Sequence, residues 1–87
     1  MPPPTNVQLG AAIRKLRQSR TGLSIERLAE EAGVHRTTLS LIERGLGNPT
    51  WEILRSLAVE MDVGIEEIVR LAARMPTANA SSSARRA

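Results

Sequence analysis

The chain has 87 residues, 12 Lys+Arg against 9 Asp+Glu and a formal net charge of +3, which leaves room for one domain. Without cysteine and with one histidine, His35, it excludes a disulfide framework, a thiolate zinc site, a cysteine nucleophile and a histidine metal cluster; neither a metal nor a cofactor is expected. Trp51 is the one aromatic residue, so the core must come from Leu, Ile, Val, Ala and Met, and no apolar run approaches a membrane span.

The chain opens on Pro2-Pro3-Pro4, an extended leader over residues 1–5 that does not read as a signal peptide. Thr5 and Gln8 have capping-box spacing. They start a first helix predicted from about Asn6 to Ser19, with Leu9, Ile13 and Leu16 on one face. Gly22 ends the connection. Ser24 is a suitable N-cap for a second helix reaching Ala32, where Gly33 stops it. A third helix is predicted from near Arg36 to Arg44-Gly45, and Leu46-Gly47-Asn48-Pro49 follows as a loop. Thr50 caps a fourth helix from Trp51 to about Met61, with Leu54, Leu57, Ala58 and Met61 inward. A fifth runs from Ile65 to about Arg74 and is closed by Pro76. The body therefore spans residues 6–75, and the small, polar remainder, 76–87, is expected to be a disordered tail. Strand periodicity is absent, so the fold class is all-α with five helices.

The most informative stretch is Leu23 to Ile42, LSIERLAEEAGVHRTTLSLI. Leu28 and Ala29 mark the inner face of one short helix, Gly33 makes the turn, and Val34, Leu39 and Ile42 mark the inner face of the next. Two short helices joined by a tight glycine turn form a helix-turn-helix, in which the second helix enters a DNA major groove. The polar residues left outside on that helix are Arg36, Thr37, Thr38, Ser40 and Arg44, and none is acidic. Charge is also lopsided. Residues 1–45 hold seven basic groups against four acids, whereas residues 46–75 hold three against five. A basic half backed by an acidic half fits a polyanion-binding face, although the sums alone fit a solvated surface equally well.

From Leu9 to about Leu71 the chain resembles the phage-repressor/Cro-type (xenobiotic-response-element-type) helix-turn-helix family through LGAAIRKLR, GLSIERLAEEAGV, TTLSLIERG and NPTWEILRSLAVEMDV. The resemblance implies a compact five-helix domain of the lambda-repressor-like type. It also implies a homodimer on a palindromic operator, with double-stranded DNA as partner, and Arg17 and Glu43 paired between the first helix and the end of the third. Three positions depart from the pattern. Thr21 reads as a one-residue insertion before Gly22, Ile25 stands where a phosphate-touching Gln is usual, and the loop Leu46-Gly47-Asn48 is not basic.

On this reading Arg36 makes a base or a phosphate contact from the first turn of the recognition helix, and Thr37 meets a base edge or a thymine methyl. Leu41 either contacts thymine methyls or packs on Leu46. Thr38, Ser40, Arg44 and Asn48 suit phosphate contacts, which position without reading sequence. Ser24 and His35 are N-caps that can also reach phosphate. Trp51, Ile65, Ile68, Val69 and Leu71 exceed what a small core needs; the last four form the expected dimer seam, with the core as the other reading. The leading function is a sequence-specific, non-catalytic transcription regulator, a repressor or autoregulator, cytoplasmic and nucleoid-associated, with no membrane role. The alternative is an antitoxin-like or adaptor module that binds a partner protein and DNA only weakly.

Overall fold

The structure, a computed structural model, describes residues 2–77, so most of the expected tail lies outside the described residues. Five α-helices account for the described secondary structure, together with one π-helical turn: α1 (Asn6–Leu16), α2 (Ile25–Ala32), α3 (Arg36–Glu43), α4 (Trp51–Met61) and α5 (Ile65–Arg74). No strand occurs among the described residues. Three starts follow the expected side-chain caps. Thr5 accepts from the Gln8 backbone N–H in a complete capping box, Ser24 accepts from Arg27, and Thr50 from Ile53.

The first helix departs from expectation. It does not continue to Ser19 as α-helix but widens at Arg17–Thr21 into a π turn that closes on Gly22, φ +68°. A π turn accommodates an extra residue without breaking the helix, and Thr21, the expected insertion, is the last residue of this turn. Its hydroxyl donates to the Arg17 carbonyl at 2.6 Å and accepts from the Leu23 N–H at 2.9 Å, stitching the wide turn to the chain leaving it.

Helix α1 is the hub, packed between α5 and α3, while α2 contacts α3 and α4. Ile13, Leu28, Leu39, Ile42, Leu57, Met61 and Ile68 are the largest fully buried side chains of the shared core. The α1–α3 approach is backbone on backbone. A Cβ added at Gly10 would lie 2.0 Å from the Ile42 carbonyl oxygen and 2.9 Å from that of Glu43. One turn further, Gly45 (φ +77°) lies under Val7, with room for neither a Cβ nor its usual backbone angle.

One expectation is corrected here. Ile68 is not available to a dimer seam: it is 1% exposed and belongs to the core. The cause is helical phase. Ile65, Ile68 and Ala72 recur every three or four residues and point at α1, while Val69, about 100° further round, points out and is 41% exposed. Ile65 and Leu71 are partly buried against the same core, leaving only their edges outside.

Candidate nucleic-acid interface

Gly33, φ +72°, reverses the chain between α2 and α3, and the Val34 N–H donates back to the Ala29 carbonyl at 2.9 Å to close the end of α2. Helix α3 then buries Leu39, Ile42 and Glu43. With that side committed to the core, Arg36 and Thr37 are left exposed, Thr38, Ser40 and Leu41 half-buried, and Arg44 exposed at the helix end. His35 occupies the N-cap position in extended conformation and is exposed, but its side chain makes no capping bond.

The orientation of α3 is fixed by a buried ion pair. Arg17 donates through Nε to Glu43 Oε2 at 2.8 Å and through Nη2 to Oε1 at 2.9 Å, and its third donor, Nη1, reaches the Leu23 carbonyl at 2.9 Å. Side-chain exposure is 10% for Arg17 and 3% for Glu43. The hydrogen bond to Glu43 holds the Arg17 guanidinium above its ordinary pKa, against the opposing effect of burial. One side chain thus links the π turn, the end of α3 and the segment entering α2. Such a pair sets geometry more than it adds net stability.

The residues expected to meet DNA fall into two groups. Ser24, Arg36 and Ser40 share an open groove of about 290 Å³ with Arg17, Ile25 and Glu26. Ile25 is partly buried against the core, so it serves packing rather than presenting a donor in the groove. At the other end, the loop after α3 folds back so that Gly47 lies under the Leu41 side chain, which explains why Leu41 is half-buried. Leu46 stays 66% exposed. Asn48 is exposed, and its Oδ1 accepts from Asn6 Nδ2 at the start of α1.

Two participants escape sequence reasoning. Glu26 accepts from Arg36 Nε at 2.8 Å, so the foremost base-reading candidate is engaged by an acid from the preceding helix. Its carboxyl is held below the usual range by its own backbone N–H, then by Arg36 and, more weakly, by the Ser24 hydroxyl. Asn6 is the second, as the anchor of Asn48. No periodicity links residues on different helices, so neither pairing has a signature in the sequence.

A family model described as a helix-turn-helix domain matches residues 8–71. The chain belongs to the helix-turn-helix domain family. Two curated proteins are similar to this helix-turn-helix chain. The HTH-type transcriptional regulator SlrR of Bacillus subtilis is 39% identical over 61 residues, which cover 69% of the chain but only 40% of SlrR. The control protein C.BamHI of Bacillus amyloliquefaciens is 32% identical over 66 residues, covering 74% of the chain and 82% of that protein. Among solved structures, SinR, the master regulator for biofilm formation in B. subtilis, determined in complex with DNA, superposes with a TM-score of 0.66 at 36% identity over 69% of the chain and 95% of the SinR chain in that structure.

Proposed function

We propose that this chain is a sequence-specific DNA-binding transcription regulator of the phage-repressor/Cro type, acting without catalysis as a repressor or autoregulator in the cytoplasm. The observation that carries the reading is the outward face of α3. Arg36, Thr37, Thr38, Ser40 and Arg44 lie there without an acid of the same helix, since Glu43 is turned inward to Arg17. SinR, solved with DNA, and C.BamHI, named a control protein, support the same reading.

In this reading α3 lies in the major groove. Arg36 and Thr37 meet base edges, while Ser24, His35, Thr38, Ser40, Arg44 and Asn48 hold phosphates and Leu41 offers its exposed edge to thymine methyls. One helix reads few base pairs, so the operator is a palindrome bound by a homodimer whose recognition helices sit about 34 Å apart. The seam lies on the outward side of α5 around Val69, with the edges of Ile65 and Leu71. A second reading has one observation in its favour. Trp51 and Val59, two turns apart on α4, are 63% and 70% exposed, a surface that a protein partner of an antitoxin-like or adaptor module could cover.

Selection of bound fragments from random duplex DNA separates the two readings. A regulator enriches an inverted repeat with half-sites about 10 base pairs apart. Recovery of unrelated sequences would overturn the operator reading and favour the adaptor.

A further inference from the structure

Arg36 and Glu26 stand on different helices, ten residues apart, yet meet across the groove between α2 and α3. The Glu26 carboxyl is held below the ordinary carboxylate range, first by its own backbone N–H and next by Arg36. An acid on a surface that meets phosphate opposes general DNA affinity, so its position there calls for a local reason. With Nε engaged by Glu26, the Nη1/Nη2 edge of the guanidinium makes no hydrogen bond among the described residues. A planar fork of that kind matches the O6 and N7 acceptors of guanine end-on.

We propose that Glu26 is a specificity-determining residue: it orients Arg36 so that the free fork reads a guanine, and it repels phosphate so that the arginine does not settle on the backbone. The proposal rests on Arg36 reading a base. In water a pair this exposed, 67% and 61% at the side chains, contributes little to folding. Between protein and DNA, where water is displaced, the same pair is stronger. Its effect therefore belongs to discrimination between sequences rather than to folded stability.

The test uses the full chain and three duplexes: the selected operator, the operator with the guanine facing Arg36 replaced in each half-site, and a duplex of unrelated sequence. Arg36→Ala is expected to lower discrimination at that base pair by roughly 5- to 100-fold. Glu26→Ala is expected to lower it at the same base pair by about tenfold, while affinity for the unrelated duplex rises and its salt dependence steepens. Glu26→Gln keeps an acceptor for Nε, so it retains most of the discrimination and shows only the gain in unrelated binding. The double variant Glu26→Ala/Arg36→Ala discriminates as Arg36→Ala does.

If Arg36→Ala relaxes discrimination and Glu26→Ala does not, the role of Glu26 is refuted while Arg36 remains a reader. If Arg36→Ala itself leaves discrimination unchanged, both fall. Equal losses at every position of the half-site after Glu26→Ala would mean that Glu26 acts on the fold or on docking, and would likewise overturn the proposal.

Discussion

Replacing Gly10 by alanine separates two physical effects of opposite sign. Inside an isolated helix the change is favourable by about 1 kcal/mol, because alanine loses less backbone freedom on ordering. In this fold the new Cβ would stand 2.0 Å from the Ile42 carbonyl oxygen, so α1 must withdraw from α3 by about 1 Å or more before contact becomes tolerable. It has no free direction in which to go, because its other side packs on α5. Overpacking against side chains costs roughly 1–3 kcal/mol, and here the obstacle is backbone, which places the cost at the upper end. The net loss is about 2 kcal/mol, or a fall in Tm of roughly 10 °C for a domain of this size. Thermal unfolding followed by far-ultraviolet circular dichroism measures it. Gly22→Ala is the companion variant: nothing lies within 4 Å of its Cβ, so it reports only the backbone strain at φ +68°, about 1 kcal/mol. An unchanged or raised Tm for Gly10→Ala would refute the backbone contact between α1 and α3.

Glu43→Ala leaves the Arg17 guanidinium buried without its carboxylate and is expected to cost about 3–5 kcal/mol in urea unfolding, whereas Arg17→Met/Glu43→Leu together should recover most of it. Arg44→Ala should weaken binding to every duplex and reduce the salt slope by about one unit, a change confined to phosphate contacts that binding isotherms across a salt series resolve. Val69→Glu places like charges across the proposed two-fold seam; because Val69 is 41% exposed, folded monomers with weak operator affinity are expected by light scattering and circular dichroism. The Glu26 carboxyl has a folded pKa below its ordinary one. Its pair with Arg36 is therefore complete above the ordinary carboxylate range and lost only as pH falls through the depressed value. Discrimination at the Arg36 base pair should stay flat from about pH 6 to 8 in competition binding assays.

The helices were legible where local chemistry determines them. Thr5, Ser24 and Thr50 cap helices that begin one residue later, and Gly22 and Gly33 end their segments in the left-handed conformation. The spare residue at Thr21 was visible as well, but not the form it takes, since a wider turn and a longer loop absorb an insertion equally well on paper. The end of α4 at Met61 was legible too, although its left-handed cap falls on Asp62 (φ +58°) rather than on the nearby Gly64. Apolar content alone placed Ile68 on the outside together with Val69. Only the phase of α5 against α1 tells them apart, and that phase depends on which neighbour the helix meets. For the candidate site, the exposed residues of α3 follow from periodicity, and the Arg17–Glu43 pair followed from family resemblance. The Glu26–Arg36 and Asn6–Asn48 pairings depend on how separate helices are set side by side, which one-dimensional patterns do not encode.

Gln8 is half of a capping box, and its side chain also joins the start of α1 to the end of α5. Its Oε1 accepts from the Thr5 N–H at 2.9 Å, and its Nε2 donates to the carbonyl of Met75 at 2.9 Å. The start of α1 and the end of α5 are thereby clasped by one amide, making the helical body nearly a closed ring. A short peptide joining residues 5 and 76 would complete that ring with little displacement, so new ends could be opened elsewhere, at the α4–α5 connection for example, without cutting the recognition segment. The Met75 carbonyl lies against α1, whose first residue holds Asn48. An effector or reporter fused after Met75 would thus hang next to the loop that follows the recognition helix, and its size and charge would be felt by any nucleic acid lying there.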